Sequence, residues 1–135
     1  MRAREKRSVT LILDENLSGK SILAGLRGAH IPVRPQTDFF GRQTLDPEAF
    51  AALAAHPDCY LLTKDKAFHR RPAEKATLLQ HGIGAFVITV QKNKSGPELV
   101  DLVRLAWPRI ERFARKNPRP FIARILVDGH VEKIV

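Results

Sequence analysis

The stretch Val9-Thr-Leu-Ile-Leu13, followed by Asp14-Glu15, decides the fold class of this 135-residue chain. Its first five residues are apolar or β-branched without alternation, a pattern typical of a strand buried on both faces of a parallel sheet. Parallel strands need a crossover connection, which is usually a helix. The segment therefore predicts an α/β domain whose first strand ends abruptly in two acids.

Similar apolar runs recur along the chain and alternate with helix signals. We predict three further strands of this kind, at Ile31–Val33, Cys59–Thr63 and Ala85–Val90. Between them stand helix starts, marked by an N-cap residue or by Pro at the first helical position. The predicted helices run from a cap at Asn16 or Ser18 to about Leu26, from Asp46-Pro47-Glu48 onward, over Pro72–Gln80, and from Ser95 to about Lys116.

The C-terminal end is predicted to form a hairpin. Phe121–Val127 and His130–Val135 flank Asp128-Gly129, a pair that favours a type I′ turn. Together with the alternating segments, it predicts a three-layer α/β/α fold with a central, mainly parallel sheet and a C-terminal antiparallel hairpin. The length fits a single domain over residues 1–135, with residues 1–7 as a basic N-terminal extension.

Charge indicates the class of partner. Lys and Arg total 23 against 14 Asp and Glu, which gives a formal net charge of +9 and a pI near 10.3. Such a balance favours a nucleic-acid partner over a merely solvated surface. The basic residues concentrate in three clusters, at positions 2–7, at positions 64–75, and at seven positions between Arg104 and Arg124.

Several features predict a cytoplasmic protein without a membrane segment. No apolar run is long enough to cross a bilayer, and the run after the basic residues 1–7 is too short for the core of a signal peptide. The one cysteine, Cys59, excludes a disulfide framework and a cysteine-based zinc site. We expect Cys59 to be a small buried hydrophobe in a strand.

Acidic residues follow two of the predicted strands, Asp14 after the first and Asp65 after the third. The carboxyl ends of parallel strands meet at one sheet edge, where ligands bind, so these carboxylates are expected to converge. Asp46, or Glu48 one turn inside the helix, and Glu74 on the next helix are candidates to join them. Close carboxylates repel unless a cation bridges them, and oxygen ligands select Mg²⁺ or Mn²⁺. The alternative for each acid is a helix cap, a turn residue or a solvated face.

Basic residues beside these acids complete the predicted site. Lys64, Arg70 and Arg71 are candidates for contacts with substrate phosphates, because a cationic rim around metal-binding carboxylates matches a phosphodiester. The alternative is a solvated basic loop. Thr63 either orients the carboxylate of Asp65 through a hydrogen bond or is an ordinary strand residue.

Three segments carry a family resemblance: Ile12-Leu-Asp-Glu-Asn-Leu17, Leu62-Thr-Lys-Asp-Lys-Ala-Phe68 and the helix start Asp46-Pro-Glu48. They resemble the PIN domain, and in particular the compact PIN-like branch related to VapC-type toxin ribonucleases. The stretches Arg70-Arg-Pro-Ala-Glu74 and Pro120-Phe-Ile-Ala, with Asp128-Gly-His-Val131, extend the resemblance over most of residues 8–135. It implies a metal-dependent ribonuclease of single-stranded RNA, often the toxin partner of an antitoxin.

Carried over by position, the resemblance implies that Asp14 is the first family acid, Asp46 the second, with Glu48 as its competitor, and Asp65 the third. The family's fourth acid commonly falls two residues after the third, where this chain has Ala67. Either Glu74 substitutes for it, or the second metal ion binds weakly or not at all.

Three hypotheses about function follow. The first is an endoribonuclease, a hydrolase of RNA phosphodiester bonds that depends on Mg²⁺ or Mn²⁺. The second, favoured by Ala67, is a PIN-like module that binds RNA or a partner protein without catalysis. The third is a receiver-like phosphoacceptor domain, which the basic surface disfavours. Expected partners are single-stranded RNA, an antitoxin protein and a second copy of the chain; the pair Phe39-Phe40 fits a dimer contact, base stacking or a loop anchor.

Overall fold

This computed structural model describes residues 9–14, 17, 19–38, 47–64, 72–89 and 95–134, with the side chains of residues 47–50 and 72–74 excepted. In chain order its elements are β1 (Thr10–Leu13), α1 (Lys20–Gly28), β2 (Val33–Pro35), a short 3₁₀ turn (Gln36–Asp38), α2 (Pro47–Ala54), β3 (Cys59–Thr63), α3 (Pro72–Gln80), β4 (Gly84–Ile88), α4 (Gly96–Lys116), β5 (Phe121–Ile125) and β6 (Val131–Lys133). The predicted bounds of β3 and α3 are confirmed to the residue.

The six strands form one sheet in the order β2-β1-β3-β4-β5-β6. The first five strands are parallel, and β6 pairs antiparallel with β5, as predicted. Leu13, the last residue of β1, pairs with Pro35 of β2 on one side and with Leu62 of β3 on the other. The residues that follow these three therefore reach the carboxyl edge of the sheet at about the same level.

Helices cover both faces of the sheet, which confirms the predicted three layers. Successive side chains of a strand point to opposite faces. In β1, Leu11 and Leu13 pack in the core that α1 and α4 cover, whereas Ile12 packs in the core that α2 and α3 cover. All three side chains are fully buried. Because both faces of the sheet are covered, the sequence of β1 is continuously apolar and does not alternate between apolar and polar residues.

Helix α4 begins at a complete capping box. The hydroxyl of Ser95 accepts from the backbone N–H of Glu98 at 3.3 Å, and the Glu98 carboxylate accepts from the Ser95 N–H at 2.9 Å. One stripe of the helix is buried. Its members are Leu99, Val100, Leu102, Val103, Ala106, Ile110 and Ala114. Within the described residues, neither this helix nor any other combines the length and apolar character needed to cross a membrane.

The crossover through α4 differs in hand from the crossover before it. Helix α3 links β3 to β4 on the face of α2, whereas α4 links β4 to β5 on the face of α1. The chain moves across the sheet in the same direction in both steps, so the two crossovers have opposite hands, and left-handed ones are rare. As a result α4 packs over the β5 side of the sheet and contacts β6.

Two local predictions near the N-terminus are wrong. Helix α1 is capped by Gly19, which makes no side-chain bond, rather than by Asn16 or Ser18, which lie outside the described residues. Glycine is tolerated as an N-cap because it leaves the first N–H groups open to water. Strand β2 begins at Val33, not at Ile31, although Ile31 is buried in the core.

The C-terminal turn also differs from its predicted type. A type I′ turn needs positive φ at both central residues, but of Asp128 and Gly129 only the glycine has one, at 88°. The Gly129 N–H donates to the Leu126 carbonyl at 2.9 Å, and the Leu126 N–H donates to the His130 carbonyl at 2.8 Å. The connection is thus a three-residue loop that ends in a glycine. A Cβ at Gly129 would lie 2.8 Å from Leu105, so the hairpin packs closely on α4.

Candidate functional site

Asp14 lies where the sequence predicts it, directly after β1 at the carboxyl edge of the sheet. Its backbone N–H donates to the carbonyl of Leu62 at 3.2 Å, which ties it to β3, and its carbonyl accepts from the Leu17 N–H at 2.9 Å. Only 7% of the residue is exposed. A carboxylate is thereby held almost out of water at the end of a central strand.

Thr63, the last residue of β3, is fully buried, and its hydroxyl donates a hydrogen bond to Oδ2 of Asp14. The sequence analysis left Thr63 as an ordinary strand residue or as a donor to Asp65. Asp65 lies outside the described residues, and the bond that the structure shows is the one to Asp14. The bond fixes the orientation of the Asp14 carboxylate, which is what a group behind a metal ligand does.

Gln36 is a buried polar residue that the sequence analysis missed. It begins the 3₁₀ turn directly after Pro35, the partner of Leu13, at the carboxyl end of β2, and only 2% of it is exposed. It lies between a predicted strand and a predicted helix, where a polar residue has no pattern to mark it as buried. Its one signal is its place directly after a strand, the same signal that identified Asp14.

Buried polar side chains therefore end or follow three adjacent strands, with Gln36 after β2, Asp14 after β1 and Thr63 at the end of β3. The helices that follow β1 and β3 are α1 and α3, and they cover opposite faces of the sheet, so the chain switches direction between these two neighbouring strands. In open α/β sheets the crevice at such a switch point is where ligands bind. The Asp14–Thr63 pair lies at this point, and we call it the switch-point site.

The structure places the other predicted site residues only in part. Lys64 follows Thr63 and is exposed. Glu48 and Glu74 lie in the first turns of α2 and α3, and both helices begin at the carboxyl edge that Asp14 occupies; their side chains are outside the described part. The remaining candidates are also outside it, and these are Asp46, Asp65, Arg70 and Arg71. Among the side chains that are described, no three acids, histidines or cysteines come together as a metal cluster.

The switch-point site fits a hard divalent cation in its chemistry. All candidate donors are carboxylate, amide or hydroxyl oxygens, which Mg²⁺ and Mn²⁺ prefer to nitrogen or sulfur. A carboxylate held out of water, as Asp14 is, favours a cation beside it because burial penalises its charge. Asp14 would bind the ion directly, and Thr63 would hold that carboxylate in place.

Cys59 belongs to the packing and not to the site. It begins β3, at the amino edge of the sheet, and is 8% exposed. Burial raises the pKa of its thiol above the usual value, although the nearby Arg34 and Arg119 act in the other direction. The prediction of a small buried hydrophobe is confirmed.

These features define an α/β/α domain with a buried carboxylate at its switch point, and comparison with protein families gives that class a name. The model of the PIN-like domain family matches residues 10–90, well over half of the chain, and this protein belongs to that family. The family is of nuclease type, and PIN domains generally use divalent metal ions. The match confirms the resemblance and leaves the receiver-like hypothesis without support. No curated protein and no solved structure gives a significant match.

Proposed function

We propose that this protein is a metal-dependent endoribonuclease. The observation that carries the proposal is the Asp14 carboxylate, buried at the switch point of a PIN-like domain and oriented by the Thr63 hydroxyl. In this proposal Asp14, Asp46 and Asp65 hold Mg²⁺ or Mn²⁺, with Glu48 as the alternative to Asp46, and Glu74 stands in for the acid that Ala67 replaces.

The bound metal would supply Lewis-acid stabilisation of the scissile phosphate. The chain itself supplies position and charge. Thr63 keeps Asp14 in one orientation, which matters because catalytic geometry is lost with small displacements. Lys64, Arg70 and Arg71 neutralise the negative charge that develops on the phosphate.

The wider assignments belong to the same proposal. The net charge of +9 supports a nucleic-acid substrate, and the family resemblance implies that this is single-stranded RNA. We further propose that residues 1–135 act as one domain in the cytoplasm, as the toxin of a toxin–antitoxin pair whose antitoxin binds this chain. A homodimer is the remaining proposed assembly.

The test uses purified protein and end-labelled single-stranded RNA, with Mg²⁺, with Mn²⁺ and with EDTA. Cleavage is expected only with a metal ion and should be lost in Asp14→Asn, which keeps the side-chain shape but removes the negative charge. The matched control is Asp101→Asn, because Asp101 is an exposed acid on α4 that contacts Arg104 at 3.9 Å and belongs to neither proposed site. Cleavage that survives in EDTA or in Asp14→Asn contradicts the proposal.

A second candidate function is a PIN-like module that binds RNA or a partner protein without cutting it. The observation in its favour is Ala67, where the family commonly has an acid that would complete the metal ligands. The same experiment separates the two candidates. RNA binding that is unaffected by Mg²⁺ or Mn²⁺, with no cleavage product over long incubation, supports the module.

A further inference from the structure

The seven basic residues between positions 104 and 124 fall into two groups in the structure. Four of them are engaged by acids or by backbone carbonyls. These are Arg104 with Asp101 at 3.9 Å, Arg115 with Glu111 at 3.1 Å, Arg124 with Glu132 at 2.7 Å, and Arg119 with the carbonyls of His56 and Cys59 at 3.4 Å each. Arg109, Arg112 and Lys116 form no ion pair with any residue in the described part of the chain.

The three unpaired cations line one surface groove, which has a volume of about 370 Å³. They are exposed and lie at positions i, i+3 and i+7 of α4, so they project from one side of the helix. The other lining residues are Phe113 of α4, Asn117 directly after that helix, His130 directly before β6, and Val131 at its start. We call this surface the α4–β6 groove.

No acid lines the α4–β6 groove among the residues that the structure describes. The hairpin has two carboxylates, and neither pairs with these cations: Asp128 contacts His130 at 2.9 Å, and Glu132 contacts Arg124 at 2.7 Å. Like charges spaced three and four residues apart on a helix repel one another. Three adjacent, unneutralised cations around a concave surface are therefore better explained by an anionic ligand than by helix stability.

The groove is also built on a rigid support. The Phe113 ring packs edge-on against Phe121, with ring centroids 4.9 Å apart, and against Phe86 at 6.0 Å. The side-chain amide of Asn117 donates to the Phe113 carbonyl at 2.9 Å and so closes the end of the helix. These contacts hold the helix backbone that carries the cations, so that little ordering is required when a ligand binds.

We propose that the α4–β6 groove binds the phosphate backbone of single-stranded RNA, at a place distinct from the switch-point site. The proposal rests on the proposed function for the identity of the ligand and extends it with a second contact surface. Guanidinium groups pair with phosphate through two parallel hydrogen bonds. From Arg109 to Lys116 the helix rises about 10 Å, enough to follow more than one phosphate of a strand.

The sheet order separates the groove from Asp14. Strand β6 is four strands away from β1, a distance of roughly 19 Å at the usual strand spacing. RNA held in the groove therefore contacts the protein beyond the reacting phosphate. The expected role is affinity for the strand, not chemistry.

The experiment measures the binding of a fluorescently labelled 12-nucleotide RNA by anisotropy in EDTA, so that no metal-dependent step intervenes. The test variant is Arg109→Gln/Arg112→Gln/Lys116→Gln. The matched control, Arg104→Gln/Arg115→Gln/Arg124→Gln, removes the same charge from residues that are already paired. Circular dichroism and thermal melting confirm that both variants are folded, and the pair Arg112→Glu and Arg104→Glu repeats the comparison with one change each.

We expect the test variant to bind RNA at least tenfold more weakly and the control less than threefold more weakly. The slope of log Kd against log salt should fall by about 2 in the test variant, since three phosphate contacts at about 0.7 each are lost. Equal weakening in both variants, or none in the test variant, overturns the proposal. A glutamate-rich peptide that binds the native protein but not the test variant, while RNA binds both equally, also overturns it and identifies a peptide site.

Failure of this proposal is distinguishable from failure of the proposed function. Binding in EDTA requires no metal ion, and its difference between the test and control variants reports on the groove, whereas cleavage in Mg²⁺ or Mn²⁺ reports on the carboxylates. A protein that loses RNA in the test variant but never cuts it supports the groove and contradicts the nuclease.

Discussion

The switch-point site and the α4–β6 groove contrast in almost every physical respect. The switch-point site holds the buried carboxylate of Asp14, which accepts a hydrogen bond from the Thr63 hydroxyl between two parallel strands. The second exposes three unpaired cations on a helix beside an edge strand. Chemistry on a phosphate needs a few atoms fixed in a place with little water, whereas affinity for a polyanion needs several charges that water can reach. One small domain meets both needs by separating them across its sheet.

The largest expected effect tests this separation directly. In Mg²⁺-dependent cleavage, Asp14→Asn should lower kcat more than about 100-fold, beyond the 10–100-fold typical of residues behind a metal ligand. The triple variant of the groove should instead raise KM with kcat within about twofold, since it removes binding shared by substrate and transition state. Steady-state kinetics on one RNA measures both. A fall in kcat for the groove variant would contradict this separation and indicate that the switch-point site and the α4–β6 groove act as one site.

The next effect concerns the hydroxyl that orients Asp14. Thr63→Val keeps the side-chain shape but removes the proton donor, and we expect metal-dependent cleavage to fall 10–100-fold. The control is Thr89→Val at the end of the neighbouring β4, because Thr89 donates to the Ile125 carbonyl at 3.2 Å and not to an acid. Titration with Mn²⁺ should show weaker binding for the Thr63 variant alone. Equal losses in both variants would mean that the hydroxyl serves the fold and not the site.

Packing beneath the groove can be perturbed without touching either set of charges. Gly84 begins β4, and a Cβ there would lie 2.7 Å from the Tyr60 ring and 2.9 Å from the Phe121 ring. Gly84→Ala should therefore destabilise the fold by about 1–3 kcal/mol through overpacking. Gly28→Ala is the control, since a Cβ at Gly28 meets no atom within 4 Å. Urea denaturation of both variants measures the difference, and equal stability would contradict the close approach of the rings.

A smaller effect, a gain in stability, is expected when the hydroxyl of Tyr60 is removed. Tyr60 lies three residues before Thr63 on the same strand. Tyr60 is fully buried, and its hydroxyl has no hydrogen-bond partner within the described residues. Tyr60→Phe should stabilise the protein by about 1 kcal/mol, because it removes a buried polar group that pays a desolvation penalty. Phe86→Tyr is the converse change and should destabilise. Thermal melts that show no gain for Tyr60→Phe would indicate that the hydroxyl is hydrogen-bonded after all.

The smallest effect is a pH dependence in the hairpin beside the groove. The backbone N–H of His130 donates to the Asp128 carboxylate at 3.1 Å and lowers its pKa. A depressed pKa means that the stabilisation is present above the ordinary carboxyl pKa and is lost as pH falls through the lower value in the folded protein. We expect a slight fall in Tm from this residue at acidic pH, and its absence in Asp128→Asn. Identical pH profiles for both proteins would contradict the assignment.

The fold was largely predictable because strands that are buried on both faces of the sheet have continuous apolar sequences. Cys59–Thr63 is apolar throughout apart from its end, and its bounds could be predicted to the residue. Gly84 is an exception to this rule. In a sequence a glycine suggests the end of a strand, but here Gly84 begins β4 and leaves room for the rings of Tyr60 and Phe121. The turn at Asp128-Gly129 shows the same limit, because one dipeptide suits several turn types and packing on α4 selects among them.

The candidate site was predictable only where a residue's place in a strand revealed it. Asp14 follows an unmistakable strand, so its position at the sheet edge could be predicted. Gln36 follows a strand of three residues whose start was predicted at Ile31 instead of Val33. No hydrophobic pattern in the sequence indicates that Gln36 is buried. The partner of Thr63 depends on the pairing of β1 with β3, which no local pattern contains. The division of the basic cluster into paired and unpaired members likewise depends on the direction of each side chain.

The two outer strands of the sheet have a consequence for aggregation. An edge strand exposes unpaired backbone groups that another chain can extend. Here both edges are only three residues long; β2 carries Pro35, which has no N–H to offer, and β6 carries the exposed charges of Glu132 and Lys133. Growth of a continuous intermolecular sheet from either side is therefore disfavoured.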